Sequence, residues 1–275
     1  MQKTVGGRGL DVFLGGDPYS GSVSEPPPFE LAVAWGLLAP NYQRAFGTGF
    51  APDVDTGTVP QDAWGGVGLF PWINAPTELE MFCTNTADTA LGTGARSVTF
   101  YTLDSSYNSV PQTVATNGSV VALPIQAIAN NGGRIVAVGS GGTNAGDIIL
   151  RDAGGGATRG IIVAGTGVMR QAPYTVPAGF TLAVPWILIG VDSPTGAIGK
   201  FASISTYFKF FNGGAEIQPL RIGNTNGAPY NHFSNPPITI PEKSRFALRI
   251  NTVSDSNTIV TAGWNGILRA NVQTL

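Results

Sequence analysis

Short segments of alternating side chains, separated by clusters of turn-forming residues, restrict the fold of this sequence more than any other feature. Residues 98–103 read VTFYTL, and this period of two places one set of side chains on each face of a β-strand. Further strand candidates cover residues 119–127, 134–138, 147–151, 157–163, 181–191, 202–211, 215–222, 245–253 and 257–269. Pro124 restricts the first of these to a sheet edge or a bulge. Many short strands of this kind are typical of antiparallel sandwiches or barrels and not of α/β enzymes.

The composition supports the same fold class. Charged residues make up 12% of the chain, against roughly 25% in typical soluble domains. The 38 glycines and 20 prolines favour turns over helices, while an apolar share of 43% is too high for a disordered chain. So little charge would protect a monomer poorly from association. We therefore expect identical neighbours to cover much of the surface, although a glycine-rich monomeric β protein remains an alternative.

Charge and cysteine usage exclude several classes of protein. The chain has 15 basic and 17 acidic residues without any run of Lys or Arg, so nucleic-acid binding by charge is not expected. Cys83 is the only cysteine, which rules out an intramolecular disulfide and fits a reducing compartment. It alternates in phase with Leu79 and Met81, which predicts a small core residue and not a nucleophile. No window is long and apolar enough to predict a membrane span.

The first 75 residues differ in pattern from the rest. They are rich in Gly and Pro, and only residues 29–38 (FELAVAWGLL) suggest a regular element, either a strand or a short helix. We therefore predict an extended arm over residues 1–75. The alternative is a flexible, solvated tail, but the segment has too many aromatic residues for one. The side chains predicted to anchor this arm on its own body or on a neighbouring subunit are Phe29, Trp35, Phe46, Phe50, Trp64 and Trp72.

The remaining chain is long enough for two domains. A change of pattern near residues 165–171 predicts one antiparallel β-sandwich over residues 76–170 and a second over residues 171–275. Each would be a jelly roll or an immunoglobulin-like sandwich. Together with the arm, this is the predicted all-β architecture.

Five motifs follow one another between residues 77 and 268. They are NTADTALGTGARSVTFYTLDSSYNSVPQTVATNGS, NAGDIILRD, YTVPAGFT, PPITIPEKSRFALRI and SNTIVTAGWNGIL. In this order they resemble a family of virion structural proteins of tailed bacteriophages. The first seventy residues carry no such match, and at residues 244–246 (SRF) the family pattern has a more acidic turn.

The resemblance implies a non-enzymatic component of a virus particle. Such a protein would bind its own copies in a symmetric homo-oligomer and other virion proteins such as the major capsid protein. A capsid decoration or cement protein, assembled in the host cytoplasm, is the function it implies first. The alternative is a protein of the tail or neck, including one that binds host glycans there.

The residues themselves offer little catalytic chemistry. His232 is the only histidine and no G-x-S-x-G motif is present, so a serine triad is not expected. One His and one Cys cannot supply a zinc site. Residues 53–58 (DVDTGT) lack the further ligands of a calcium loop and are predicted to form a turn. The glycine-rich segments lack the Lys and Ser/Thr of a phosphate loop, and we predict no metal and no cofactor.

Two remaining sets of side chains were weighed for glycan chemistry. The carboxylates at predicted strand ends are Asp88, Asp104, Asp147 and Asp152, and we expect them to accept backbone hydrogen bonds and not to form a catalytic pair. The aromatic candidates for sugar binding are Tyr207, Tyr230, Phe233 and Trp264. Because Tyr207 and Trp264 lie in alternating strands, core packing is the expected role of these two. Binding of host glycans through residues 223–236 remains open, and an envelope-degrading enzyme is disfavoured.

Overall fold

The computed structural model describes residues 29–196, 199–211, 216–227 and 229–271, and these form one helix and sixteen strands. The elements are α1 (Phe29–Ala34), β1 (Tyr42–Val54), β2 (Gln61–Asp62), β3 (Leu79–Cys83), β4 (Ala95–Leu103), β5 (Ser109–Ala115), β6 (Val120–Ala122), β7 (Ala129–Val138), β8 (Ile148–Asp152), β9 (Thr158–Ile162), β10 (Tyr174–Thr175), β11 (Phe180–Asp192), β12 (Phe201–Lys209), β13 (Arg221–Thr225), β14 (Tyr230–Ile240), β15 (Arg245–Val253) and β16 (Thr258–Ala270). Neighbouring strands pair antiparallel throughout these residues. The predicted all-β, antiparallel class is therefore confirmed.

The strands form four sheets. The first sheet has the order β1-β16-β11-β14, and the second has the order β10-β15-β12-β13 with β2 beside β15. The third sheet is β6-β3-β8-β9, and the fourth is β5-β4-β7. One hydrophobic core takes its side chains from the first and second sheets, and a separate core takes its side chains from the third and fourth.

The first core is built around the indole of Trp264. This side chain is 1% exposed, and its ring packs edge-on against Tyr174 and Phe246 with centroid distances of 5.2 and 5.5 Å. The indole Nε1 donates a hydrogen bond of 2.8 Å to the carbonyl oxygen of Ala172. A buried indole needs such a partner because an unpaired N–H is costly inside a core.

The second core uses the residues between 73 and 169. Phe100 and Met81 are fully buried in it, as the alternation of their strands predicts. Cys83 is also buried, which confirms its predicted role as a small core residue. Burial raises the pKa of its thiol to about 11, so the reactive thiolate is disfavoured at neutral pH.

The N-terminal segment differs from the extended arm predicted over residues 1–75, of which residues 1–28 lie outside the described residues. Residues 29–34 form α1, and β1 is a regular strand that pairs with β16 from Tyr42 to Val54. The glycines of β1 are close-packing positions and not turn signals. A Cβ atom on Gly49 would lie 2.2 Å from the carbonyl oxygen of Ala63, so only glycine fits there.

Candidate interaction surface

A row of aromatic side chains crosses the outer face of the first sheet. Phe46 of β1 pairs with Asn265 of β16, Asn265 pairs with Trp186 of β11, and Trp186 pairs with Phe233 of β14. Side chains of directly paired residues point to the same side of a sheet. Their immediate neighbours Ile187 and Trp264 are buried in the first core, which places the row on the opposite side.

Solvent reaches much of this row. Phe46 is 60% exposed and Phe233 is 74% exposed, while Trp186 is half-buried. Leu188 and Ile267 follow at the spacing of two that keeps them on the same side, and both are half-buried. We call Phe46, Trp186, Phe233, Leu188 and Ile267 the aromatic face. Apolar residues gathered on one solvent-facing side of a sheet in this way indicate an interaction site.

Two arginines border the aromatic face at β1. The Nε atom of Arg44 donates a hydrogen bond of 3.3 Å to Oδ1 of Asn265, and its guanidinium carbon lies 5.3 Å from the ring centre of Phe46. The guanidinium of Arg170 lies 5.4 Å from the ring centre of Phe50. Arginine beside aromatic side chains is typical of protein interfaces. The arrangement therefore combines an apolar centre with a cationic rim.

The edges of the first sheet extend the same surface. β1 and β14 are its two edge strands, and no strand in the described part of the chain pairs with the outer edge of β1. Unpaired N–H and C=O groups on such an edge can extend the sheet of a partner. α1 lies beside the start of β1, where the rings of Phe29 and Tyr42 meet edge-on at 5.2 Å. Its end exposes Trp35, with 63% of that residue accessible.

The structure divides the six aromatic residues predicted as anchors into two groups. Four lie on β1 or at α1, and two, Trp64 and Trp72, pack on their own chain. Phe46 and Phe50 lie on the outer face of the first sheet, and Phe29 and Trp35 lie on or just after α1. Trp64 is buried, and its Nε1 donates a hydrogen bond of 3.1 Å to the carbonyl oxygen of Gly68. Trp72 is half-buried, with its ring 5.3 Å from the guanidinium of Arg245. The contacts of all six with a neighbouring subunit stay a prediction.

Sequence reasoning missed Trp186 as a member of the surface, and it weighed Phe233 only for sugar binding. Alternation alone could not find Trp186, because it is in phase with the buried Leu182 and Val184, and only the register shift before Trp186 turns it away from the core. Phe233 lies in β14, where two prolines hide the strand pattern.

Of the other aromatic candidates, Trp264 is 1% exposed and lies in the first core, as predicted, whereas Tyr207 is 2% exposed but is buried against the guanidinium of Arg249 and outside both hydrophobic cores. Tyr230 is 38% exposed and stacks on His232.

Three of the four carboxylates predicted at strand ends bind backbone groups, whereas Asp152 instead accepts two hydrogen bonds from the guanidinium of Arg159. Asp88 is fully buried, and its Oδ1 accepts hydrogen bonds from the N–H groups of Ala95 (2.7 Å) and Ala145 (2.9 Å). Its Oδ2 accepts a further bond of 2.9 Å from the N–H of Gly146. Asp104 accepts bonds from residues 106 and 108 in the same way. Both carboxylates have the predicted structural role.

Of the predicted turn over residues 53–58, residues 55–58 form a turn, and residues 53 and 54 still belong to β1. The N–H of Asp55 donates a hydrogen bond of 3.1 Å to Oγ1 of Thr58, which in turn donates one of 3.0 Å to the Asp55 carbonyl. Within the described ranges, no group of three or more His, Cys, Asp or Glu side chains is arranged to hold a metal ion. No helix among these residues is long and apolar enough to cross a membrane.

Comparison with known proteins adds little to this picture. No protein-family model and no curated protein matches the sequence. Among solved structures, the chain is similar to one from infectious bursal disease virus Gx strain, with 11% identity and a TM-score of 0.25 over 90% of this chain and 79% of that one. It is also similar to a chain of T=1 particles derived from the same virus, with 10% identity and a TM-score of 0.25 over 84% and 70% of the two chains. Scores this low do not show a shared fold.

Proposed function

We propose that this chain is a structural protein of a tailed-bacteriophage virion, a capsid decoration or cement protein that stabilises the head as a homo-oligomer. The observation that carries the proposal is the aromatic face, which exposes Phe46 on one edge strand and Phe233 on the other, with half-buried apolar residues on the strands between them. The order of the five sequence motifs between residues 77 and 268 supports the choice of virion. The partners are further copies of this chain and the major capsid protein, and the particle is assembled in the host cytoplasm.

The proposed mechanism is passive and needs no catalytic step. Covering the aromatic face removes apolar surface from water, which stabilises association by roughly 25 cal/mol per Å² before the cost of association is subtracted. The outer edge of β1 supplies backbone hydrogen-bonding groups in register with a neighbouring strand. Arg44, at the border of the face, is placed to pair with an acidic group of the neighbour.

The proposed architecture consists of two β-sandwich domains of the jelly-roll or immunoglobulin-like type. Its support is the presence of two separate cores, each shared by two sheets. In this arrangement the first sheet covers one side of the first core and turns its aromatic face outward. The second sandwich holds the residues 73–169 of the second core.

Sedimentation velocity of purified protein tests the role of the aromatic face. The wild-type chain should form oligomers that dissociate on dilution, and the double variant Phe46→Ser, Phe233→Ser should sediment as a monomer. Leu91→Ser is the matched control, because Leu91 is 93% exposed and lies outside the face. A double variant that associates as strongly as wild type, or a wild type that is monomeric throughout, would contradict the proposal.

A second candidate function is recognition of host glycans by a tail or neck protein. It is favoured by the exposed aromatic ring of Phe233 on the edge strand β14, since an exposed ring can stack on a sugar. Binding of purified protein to host cells or isolated polysaccharide, with loss of binding in Phe233→Ser, would support this function. No binding by wild type would exclude it.

A further inference from the structure

A cleft of about 190 Å³ opens at one end of the second sheet. It lies where the end of β12, the turn before β15 and the turn after β4 meet, so both halves of the molecule contribute. Its lining includes Asn74, Tyr107, Lys209, Phe211, Lys243 and Arg245. At ~30 Å³ for each water molecule, the space holds about six waters, which suits one small chemical group.

Three cations surround this cleft, although the chain as a whole carries a net charge of -2. Lys243 has no ion-pair partner in the described part of the chain, and its Nζ lies 5.2 Å from the ring centre of Phe211 and 5.9 Å from that of Tyr107. Lys209 pairs with Glu216 at 3.6 Å, but both side chains are about half exposed. Among the described residues that line the cleft none is a carboxylate, so the positive charge of Lys243 and Arg245 is not neutralised within it.

Arg245 forms the inner wall and is held in place. Its Nη1 donates a hydrogen bond of 2.9 Å to Oδ1 of Asn74, and its Nη2 donates one of 2.5 Å to the carbonyl oxygen of Ile73. Burial lowers the pKa of its guanidinium, which reflects loss of water around the charge. A partly desolvated cation beside an open cavity would be stabilised by an anion.

The backbone is strained at two positions that face the cleft. Tyr107 has a φ of 68° and Lys243 has a φ of 60°, a conformation that side chains of this size rarely adopt. Hydrogen bonds hold both residues: the N–H of Tyr107 donates to Asp104 O, and the N–H of Lys243 donates to Val176 O, each at 2.8 Å. Strain maintained in this way is common at ligand sites.

We propose that this cleft binds one oxyanion group of a ligand, a carboxylate or a phosphate, between Lys209, Lys243 and Arg245. Lysine ammonium groups act as point charges that accept either oxyanion. The cleft shares no residue with the aromatic face. Loss of anion binding therefore leaves self-association unchanged, and the two proposals can fail separately.

Isothermal titration calorimetry of the full chain, with inorganic phosphate as one probe and glucuronate as the other, tests the site. We expect saturable binding of at least one probe with one site per chain, and the tighter probe identifies the source of the oxyanion. Lys243→Asn removes the charge and keeps a residue that tolerates the positive φ. It should weaken binding about tenfold. If Lys243→Asn fails to fold, Lys209→Gln replaces it, because the Lys209 side chain is about half exposed. This variant should also weaken binding of the probe.

Arg134→Gln is the control, because it removes one positive charge from an exposed position of β7 away from the cleft. It should bind both probes as wild type does. Two results would overturn the proposal. One is the absence of saturable binding of either probe to wild type, and the other is an equal loss of affinity in Arg134→Gln and the lysine variants.

Discussion

Glu80 fastens the loop after β8 to the third sheet. Its Oε1 accepts hydrogen bonds from Arg151 Nε (2.7 Å) and the N–H of Gly155 (3.0 Å), and its Oε2 accepts one of 3.0 Å from the N–H of Gly154. The backbone bond from Gly154 is the main cause that lowers the pKa of Glu80, and Arg151 adds to it. The ionised carboxylate is therefore the form that the folded state prefers.

This lowered pKa predicts the sign of a pH effect. The stabilisation by Glu80 is present above the unfolded-state pKa of about 4.3, and it is lost as the pH falls through the folded-state value. Glu80→Gln should lower the free energy of unfolding by about 1.5 kcal/mol or more at neutral pH, and the difference from wild type should shrink in acid. Urea denaturation at several pH values measures this. Glu78→Gln, at an exposed neighbour, should show no such dependence, and a constant deficit in Glu80→Gln would contradict the explanation.

Asp62 and Arg249 form a buried ion pair on the second sheet. The Arg249 Nε to Asp62 Oδ1 distance is 2.8 Å, Asp62 is fully buried, and the guanidinium lies 3.8 Å from the ring centre of Tyr207. Removing one partner leaves a buried charge unpaired, so Arg249→Met should cost about 3–5 kcal/mol of unfolding free energy. The double variant Asp62→Asn, Arg249→Met should recover part of that loss, because no buried charge remains. Denaturation curves of wild type and the two variants check this, and a cost below about 1 kcal/mol for Arg249→Met would contradict it.

At the scale of single residues, sequence reasoning succeeded where chemistry allows one main role. An aspartate at a strand end binds nearby N–H groups, as Asp88 does, and an apolar residue in phase with its neighbours is buried, as Cys83 is. The sequence pattern was less informative about the tryptophans before residue 75. Trp64 and Trp72 pack on their own chain because distant residues reach them, including Arg245, and local pattern carries no information about such contacts.

At the scale of elements, the strands were easier to predict than their partners. Residues 245–253 and 257–269 are predicted as consecutive strands, and both do form strands, β15 and β16. They lie in different sheets, however, so the connection between them crosses from the second sheet to the first. Alternation determines which side chains share a face but not which strand lies alongside.

Prolines concealed two further strands. β5 contains Pro111 and β14 contains Pro236 and Pro237, and neither segment was predicted to be a strand. Both are edge strands of their sheets, where a missing N–H leaves no gap in a ladder. Proline is excluded from central strands, so its presence argued against strands in these two segments. That exclusion does not apply to edge strands.

The glycines of β1 give a test of how this strand is packed. Gly49→Ala would place a Cβ 2.2 Å from the carbonyl oxygen of Ala63, so we expect a loss of about 1–3 kcal/mol of unfolding free energy from overpacking. Gly57→Ala is the matched control, because no atom lies within 4 Å of its added Cβ. Thermal and urea denaturation compare the two variants. Equal stability of Gly49→Ala and Gly57→Ala would contradict the packing of β1 against residue 63.

At the scale of the whole molecule, the first core joins distant parts of the chain. It combines residues 45–63 with residues 172–268, and β1 lies directly against β16. The two cores are tied together by polar contacts, such as those of the Asn131 side chain with the backbone of Thr175 at 2.8 Å. Local sequence patterns did not predict this closure, because the partner of a strand depends on packing over the entire chain.

The central claim is that this molecule is a component of a virus particle, and its copy number tests that claim most directly. Quantitative mass spectrometry of purified particles should find this chain in a constant ratio to the major capsid protein. For a decoration or cement protein, we predict a ratio near that of the capsid protein itself. A constant ratio far below it would place the chain at the tail or neck. Absence of the chain from purified particles would contradict the proposed function.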